Sequence, residues 1–165
     1  MKRIIISLCL LLNFSLHADE MEMTDTNGTS YKVLAQEDEF KIEGMEGKVV
    51  FLEFFGLNCP ACKELMPNLI ALQKQYPNRL KVMAIEVQNH EIDPIEKYKA
   101  AHGINYTTFS NYDVGFVVRY IANKAQWKGA IPFLVAIDSK GKVQALKVGI
   151  TPKEELQSYV ESYSK

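Results

Sequence analysis

Two cysteines, Cys59 and Cys62, stand three positions apart in the stretch FFGLNCPACKELMP. Such a pair can supply half of a zinc site, close a small structural disulfide, or exchange a disulfide with another protein. Zinc needs two further ligands, and beyond His17 near the start the chain offers only His90 and His102, which form no closely spaced pair. A disulfide across so short a loop removes little chain entropy. Redox exchange is therefore favoured over a metal site and over a structural disulfide.

The elements around the pair would make the first cysteine reactive. VVFLEFF, residues 49 to 55, is apolar on both alternating faces except at Glu53, which is typical of a central strand covered by helices. After Gly56 the apolar residues follow a helical period, so Cys59 falls where a helix begins. Unpaired N–H groups and the positive end of the helix dipole there favour a thiolate.

The second cysteine is placed to complete the exchange. Pro60 suits the first helical position, because its missing N–H would be unpaired there anyway. Cys62 lies one turn further on, within disulfide reach of Cys59. We expect Cys59 to attack a partner's disulfide and Cys62 to resolve the resulting mixed disulfide.

The rest of the chain predicts an α/β fold. Residues 19 to 48 are polar and rich in turns, with a short strand after Asn27-Gly28. After the active-site helix we expect a strand at residues 79 to 88, a helix at 93 to 103 and a short extended piece at YTTFS. A helix at 113 to 123 follows, then a strand pair, FLVAI with VQALKVG, and a last helix at 152 to 163. Asp93 and Thr151 are the expected caps of the second and last of these helices. This order predicts a mixed central sheet with helices on both faces.

The first residues, MKRIIISLCLLLNFSLHA, have the build of a secretory signal peptide. We expect cleavage near Ala18, leaving residues 19 to 165 as a single domain; the alternative is an uncleaved anchor, since Leu16 is large for its position. Cleavage leaves two cysteines and 17 basic against 20 acidic residues, a net charge of −3. We therefore expect no nucleic-acid partner.

Three blocks of the chain resemble exported thioredoxins of the TlpA/ResA type. They are GKVVFLEFFGLNCPACKELMP, the long segment after it, and GAIPFLVAIDSKGKVQALKVG, in that order, with Pro67 matching the proline that kinks the family's active-site helix. The resemblance runs from about residue 30 to the end. It implies a thioredoxin fold with an N-terminal strand extension and a mid-chain insertion. We also expect no cofactor, no metal and a monomer.

The resemblance also implies roles for three residues outside the cysteine pair. Ile131-Pro132 falls at the family's cis-proline, where Ile131 would pair its backbone with substrate and Pro132 would hold the loop. An ordinary trans proline is the alternative. Glu53 falls where thioredoxins keep a buried acid, which could exchange a proton with Cys62. A partly wet glutamate is the alternative there.

Departures from the family bear on the partner and on the direction of electron flow. Asn58 replaces the usual tryptophan, which leaves the partner open, and Pro60-Ala61 lacks the histidine of strongly oxidising relatives. We therefore expect a periplasmic reductant of protein cysteines, such as the haem-attachment cysteines of apocytochromes c, served by a membrane electron carrier. An oxidase or isomerase, or a binding module on the same fold, are the alternatives.

Two further groups of side chains are interpreted as structural. Lys63 and Glu64 are expected on the solvated face of the active-site helix. The aromatic residues of the second half are expected to pack in or near the core, with a partner surface as the alternative: Tyr112, Phe116, Tyr120 and Trp127.

Overall fold

The computed structural model describes residues 18 to 164. It contains eight strands, β1 (Asp19–Thr24), β2 (Ser30–Gln36), β3 (Glu39–Ile42), β4 (Val49–Phe55), β5 (Leu80–Glu86), β6 (Thr107–Ser110), β7 (Phe133–Ile137) and β8 (Val143–Val148). It contains four helices, α1 (Pro60–Gln75), α2 (Ile92–His102), α3 (Asn111–Ala125) and α4 (Lys153–Tyr163). The signal-peptide prediction falls, apart from Ala18, outside the described residues.

The central sheet has the strand order β6-β5-β4-β7-β8. β4 pairs in parallel with β5 and antiparallel with β7, while β6 pairs in parallel with β5 and β8 antiparallel with β7. Every residue of β4 is buried, as expected for a strand with neighbours on both edges and cover on both faces. The mixed sheet of the predicted thioredoxin fold is confirmed.

Alternate residues of β4 enter two separate apolar cores. Val50, Leu52 and Phe54 face a core that contains α3 and the N-terminal strands. Phe51 and Phe55 face a core that contains α1, α4, Cys59 and Cys62. Helices therefore cover both faces, and the cysteine pair belongs to the α1 side.

The expected N-terminal and mid-chain additions are both present. β1, β2 and β3 form a separate antiparallel sheet, which packs Met23, Val33 and Phe40 onto the α3 side. Between β5 and β7 the chain forms α2, β6 and α3, so β6 becomes an edge of the central sheet.

Two predicted caps are wrong. α2 begins at Ile92 with Glu91 as its cap residue, so Asp93 lies inside the first turn. Pro152, not Thr151, precedes α4, and its cap position makes no side-chain hydrogen bond. Thr151 is instead buried.

The aromatic residues were only partly placed by sequence. Trp127 and Tyr120 pack against the α3-side core, as predicted. Tyr112 and Phe116 do not, with 66% and 74% of their surfaces exposed. Within residues 18 to 164 no helix is both long and apolar enough to cross a membrane.

Candidate active site

Cys59 and Cys62 form a disulfide at the start of α1. Their sulfurs lie 2.08 Å apart and their Cα atoms 5.2 Å apart. Cys59 is the N-cap residue, with extended backbone angles, and its Sγ accepts a hydrogen bond of 3.1 Å from the Cys62 N–H. Pro60 takes the first helical position, as predicted. An N–H aimed at the sulfur would stabilise a thiolate on Cys59 once the disulfide is reduced.

The two sulfurs differ in accessibility. Cys59 retains 6% of its surface and Cys62 only 1%. Lys63 and Glu64, next along the helix, are exposed, as expected of its solvated face. Cys59 is therefore the more accessible of the two to an incoming disulfide.

A short turn carries the chain from β4 to the cysteine pair. The Cys59 N–H donates to the Gly56 carbonyl at 3.3 Å, and the Asn58 N–H donates to Gln88 Oε1 at 3.0 Å. The Gln88 side chain lies against Gly56, where an added Cβ would stand 2.3 Å from Gln88 Cδ. Glycine is thus the residue that lets this side chain bridge the turn.

The loop that carries Gln88 is itself fixed by a buried acid. Glu86, fully buried at the end of β5, accepts hydrogen bonds of 2.9 Å from the backbone N–H groups of Gln88 and His90. Its Oε1 also lies 3.1 Å from His90 Nδ1. Sequence reasoning missed Glu86 and Gln88. Their position after the strand parallel to β4 was the available signal, because the carboxyl ends of parallel strands share one edge of the sheet.

Glu53 is buried among residues of the core that also contains the cysteine pair. It is 2% exposed, between Ala84 of β5 and Leu134 of β7, and both neighbours line the core that contains the cysteines. Burial raises its pKa to about 8. A carboxyl of this kind can hold a proton near neutral pH. At 2% exposure the Glu53 side chain is buried, as the proton-exchange role requires.

Two tyrosines share this buried region with Glu53. The pKa of Tyr98 and that of Tyr106 are raised, first by burial and next by the negative charge of Glu53. The Tyr98 hydroxyl is buried without a hydrogen-bond partner in the described chain. Neither residue was predicted as part of the site.

The Ile131–Pro132 peptide bond is cis, as the resemblance predicted. Pro132 is buried, and its carbonyl accepts the Gly149 N–H at 2.8 Å. Ile131 is half-buried and packs against both apolar cores, including the one that holds the cysteines. Trp127 supports this loop through a 2.7 Å hydrogen bond from its Nε1 to the Ala130 carbonyl.

The fold and the cysteine pair define a thioredoxin-fold protein with a disulfide at a helix N-terminus. The chain belongs to the AhpC/TSA family, whose model matches residues 16–146. It is 25% identical over 165 residues to the thiol-disulfide oxidoreductase ResA of Bacillus cereus, covering 96% of this chain and 91% of that protein.

Solved structures show the same fold. A thioredoxin family thiol:disulfide interchange protein of Chlorobium tepidum matches with a TM-score of 0.68 and 20% identity, covering 90% of this chain and 95% of the other. A secreted Mycobacterium tuberculosis disulfide oxidoreductase homologous to E. coli DsbE matches with a TM-score of 0.64 and 16% identity, covering 86% and 95%. The predicted enzyme class, thiol-disulfide oxidoreductase, is confirmed, and this class implies protein thiols as substrates.

Proposed function

We propose that the protein is an exported reductant that transfers two electrons from the Cys59-Cys62 dithiol to disulfides of other proteins. The observation that carries this proposal is the placement of Cys59, which is the more exposed of the two cysteines and whose sulfur faces a helix N–H. In the first step the Cys59 thiolate attacks a substrate disulfide, forming a mixed disulfide and releasing one substrate thiolate. In the second step the Cys62 thiolate attacks Cys59, which releases the second substrate thiolate and leaves the protein oxidised.

Glu53 is the proposed proton acceptor for Cys62. Resolution needs the Cys62 thiol to lose its proton inside the α1-side core, where water is scarce. A buried carboxyl with a pKa of about 8 is close to the proton affinity of a thiol, so a proton can pass in either direction at small cost.

Ile131 and Pro132 are the proposed substrate-binding residues. Buried Pro132 and its bond to Gly149 hold the loop against the end of the central sheet. Ile131 retains a partly exposed apolar side chain beside the core of the cysteine pair. An extended substrate segment could form backbone hydrogen bonds with Ile131, while the Ile131 side chain shields the reacting sulfurs from water.

Three features support the compartment and the direction. Residues 1 to 18 have the composition of a signal peptide, and the Mycobacterium tuberculosis protein of the same fold is secreted. The Pro60-Ala61 spacer offers no imidazolium to stabilise the reduced form, which disfavours a strong oxidant. The proposal places the protein in the periplasm as a monomer, with apocytochrome c cysteines among its substrates and a membrane electron donor to restore the dithiol.

Two measurements test the proposal. The Cys62→Ser variant, expressed in the native host, should accumulate mixed disulfides with periplasmic proteins, and apocytochromes c among them would support the reductive role. Capture of diverse newly exported proteins would instead indicate an oxidase or isomerase. If no mixed disulfide forms while the wild type still binds partners, the protein is a binding module.

The reduction potential of the purified pair decides the direction independently. A value below roughly −220 mV is expected of a reductant, as for thioredoxin, whereas a value above about −180 mV would identify an oxidant or isomerase. Equilibration with glutathione buffers, read by alkylation of the free thiols, provides this value.

A further inference from the structure

Two aromatic side chains project from the first turns of α3 into solvent. Tyr112 and Phe116 lie one turn apart and expose 66% and 74% of their surfaces. Ile92, at the start of α2, is 40% exposed and lines a groove together with Tyr112. Large apolar residues that are grouped and exposed on a protein surface are typical of interaction sites. We call these three residues the α3 patch.

Grooves flank the α3 patch on both sides of Tyr112. One, of about 550 Å³, lies between α3 and β1 and is lined by Met21 and Phe116. The other, of about 470 Å³, lies between α3 and the start of α2 and is lined by Ile92 and Ser110. Side chains of a bound polypeptide could therefore enter on either side of the tyrosine ring.

The rims of both grooves are acidic. They carry five carboxylates, Glu20, Glu22, Glu91, Asp93 and Asp113. None of the five forms an ion pair within residues 18 to 164. Among the described residues, Arg119 is the one basic residue lining these grooves, and its guanidinium lies over the Phe116 ring, 4.8 Å from the centroid. The acidic rims thus attract cationic groups, and the exposed Tyr112 ring offers an aromatic face on which one can rest.

The α3 patch lies at the same edge of the sheet as the cysteine pair. β4, β5 and β6 run parallel, so their carboxyl ends lie together. Cys59 follows β4 and α3 follows β6, two strands away, so the starts of α1 and α3 lie roughly 10 Å apart along the sheet edge, with α3 on the face opposite α1. An extended polypeptide advances about 3.3 Å per residue, so one segment can reach both places.

We propose that the α3 patch binds a segment of the substrate polypeptide in which lysine or arginine residues flank an apolar side chain, three to six residues from the cysteine that Cys59 attacks. This inference rests on the proposed function and adds a substrate preference to it. A second copy of the chain is a poor occupant, because it would place five carboxylates against five others.

The test uses two disulfide-bonded peptides that differ only in this segment. One carries Lys-Phe-Lys four residues from the cysteine, and the other carries Glu-Phe-Glu at the same place. Reduced wild-type protein should reduce the basic peptide with a kcat/KM about tenfold higher at low salt, and the advantage should shrink in 0.5 M salt. Equal rates for the two peptides overturn the proposal.

Variants then locate the preference on the molecule. Tyr112→Ser with Phe116→Ser, and separately Asp93→Asn with Asp113→Asn, should remove most of the advantage of the basic peptide. Leu34→Ser, which removes an exposed apolar side chain from β2 on the N-terminal sheet, is the matched control and should retain it. A loss as large in the control as in the patch variants overturns the proposal.

Reduction of a small aromatic disulfide separates failure of this inference from failure of the proposed function. The patch variants should reduce it at the wild-type rate, since it contacts only the sulfur. If the wild type reduces the small disulfide but shows no preference between the two peptides, only the proposal that the α3 patch binds substrate is overturned. A wild type that reduces neither kind of disulfide overturns both proposals.

Discussion

The side chain of Gln88 bridges the turn that precedes Cys59 by lying directly over Gly56. Its Oε1 accepts the Asn58 N–H at 3.0 Å, and a Cβ on Gly56 would stand 2.3 Å from its Cδ. The loop that carries Gln88 is anchored in turn by buried Glu86. The position of Cys59, which follows β4, therefore depends on the loop that follows the neighbouring strand β5.

Gln88→Ala should lower the rate at which Cys59 exchanges with a disulfide, by several-fold, because the turn loses its side-chain acceptor. Gln88 is exposed, so the free energy of unfolding should change by less than about 1 kcal/mol. Stopped-flow exchange and urea denaturation measure the two quantities. Gln88→Glu, which keeps an acceptor oxygen, is the matched control and should retain most of the rate.

Gly56→Ala tests the same contact from the opposite side. The added methyl group must displace the Gln88 side chain, so this variant should show the same rate loss as Gln88→Ala. Because one contact is removed in both, the double variant should be no slower than either single variant. Additive losses would show that Gly56 and Gln88 act separately.

Glu53→Gln should change the pH dependence of stability. Below pH 4.5 the Glu53 carboxyl is neutral in the folded and the unfolded chain alike. Between pH 4.5 and about 8 the unfolded chain loses this proton while the folded chain keeps it, so wild-type stability falls as pH rises. The full effect is on the order of 5 kcal/mol.

The glutamine variant has no such titration, so relative to wild type it should gain stability from pH 4 to pH 8. Urea denaturation of the two oxidised proteins across this range gives the difference. A constant difference would contradict a raised pKa for Glu53. In exchange assays the same variant should slow resolution by Cys62 more than attack by Cys59.

Ile131→Ser should weaken binding of peptide disulfides without slowing small ones. The serine removes an apolar contact beside the cysteine pair, so KM for a peptide should rise several-fold with kcat little changed. Ile131→Val, which keeps a branched apolar side chain, is the control and should behave like wild type. An equal loss with peptide and small disulfides would indicate a structural role instead.

The sequence was sufficient for the elements that carry the chemistry. An unbroken apolar strand, a change of period after Gly56 and a proline after Cys59 placed β4, α1 and the N-cap cysteine correctly. Each of these signals is local, because the backbone conformation follows from neighbouring residues. The burial of Glu53 followed from its position within the strand.

Two kinds of feature could not be predicted from the sequence. One is a contact between elements that are distant along the chain, and the other is the burial of aromatic residues that lie off the apolar face of a helix. The contact between Gln88 and the turn depends on which strand lies beside β4, and no local pattern contains that information. In α3 the buried face is formed by Val114, Val117, Val118 and Ile121. Tyr112 and Phe116 fall off that face, so their aromatic character was the wrong guide to their burial.

The most direct test of the central claim is the identity of the sulfur that bonds to substrate. Reduced Cys62→Ser and Cys59→Ser variants are each mixed with a disulfide-bonded peptide, quenched with acid and mapped by mass spectrometry. Cys59, the more accessible cysteine and the N-cap residue, has the residue 62 N–H facing its sulfur, which predicts a stable peptide adduct on Cys59 in the Cys62→Ser variant. The Cys59→Ser variant should form almost none. Adducts on Cys62, or none on Cys59, would contradict the account.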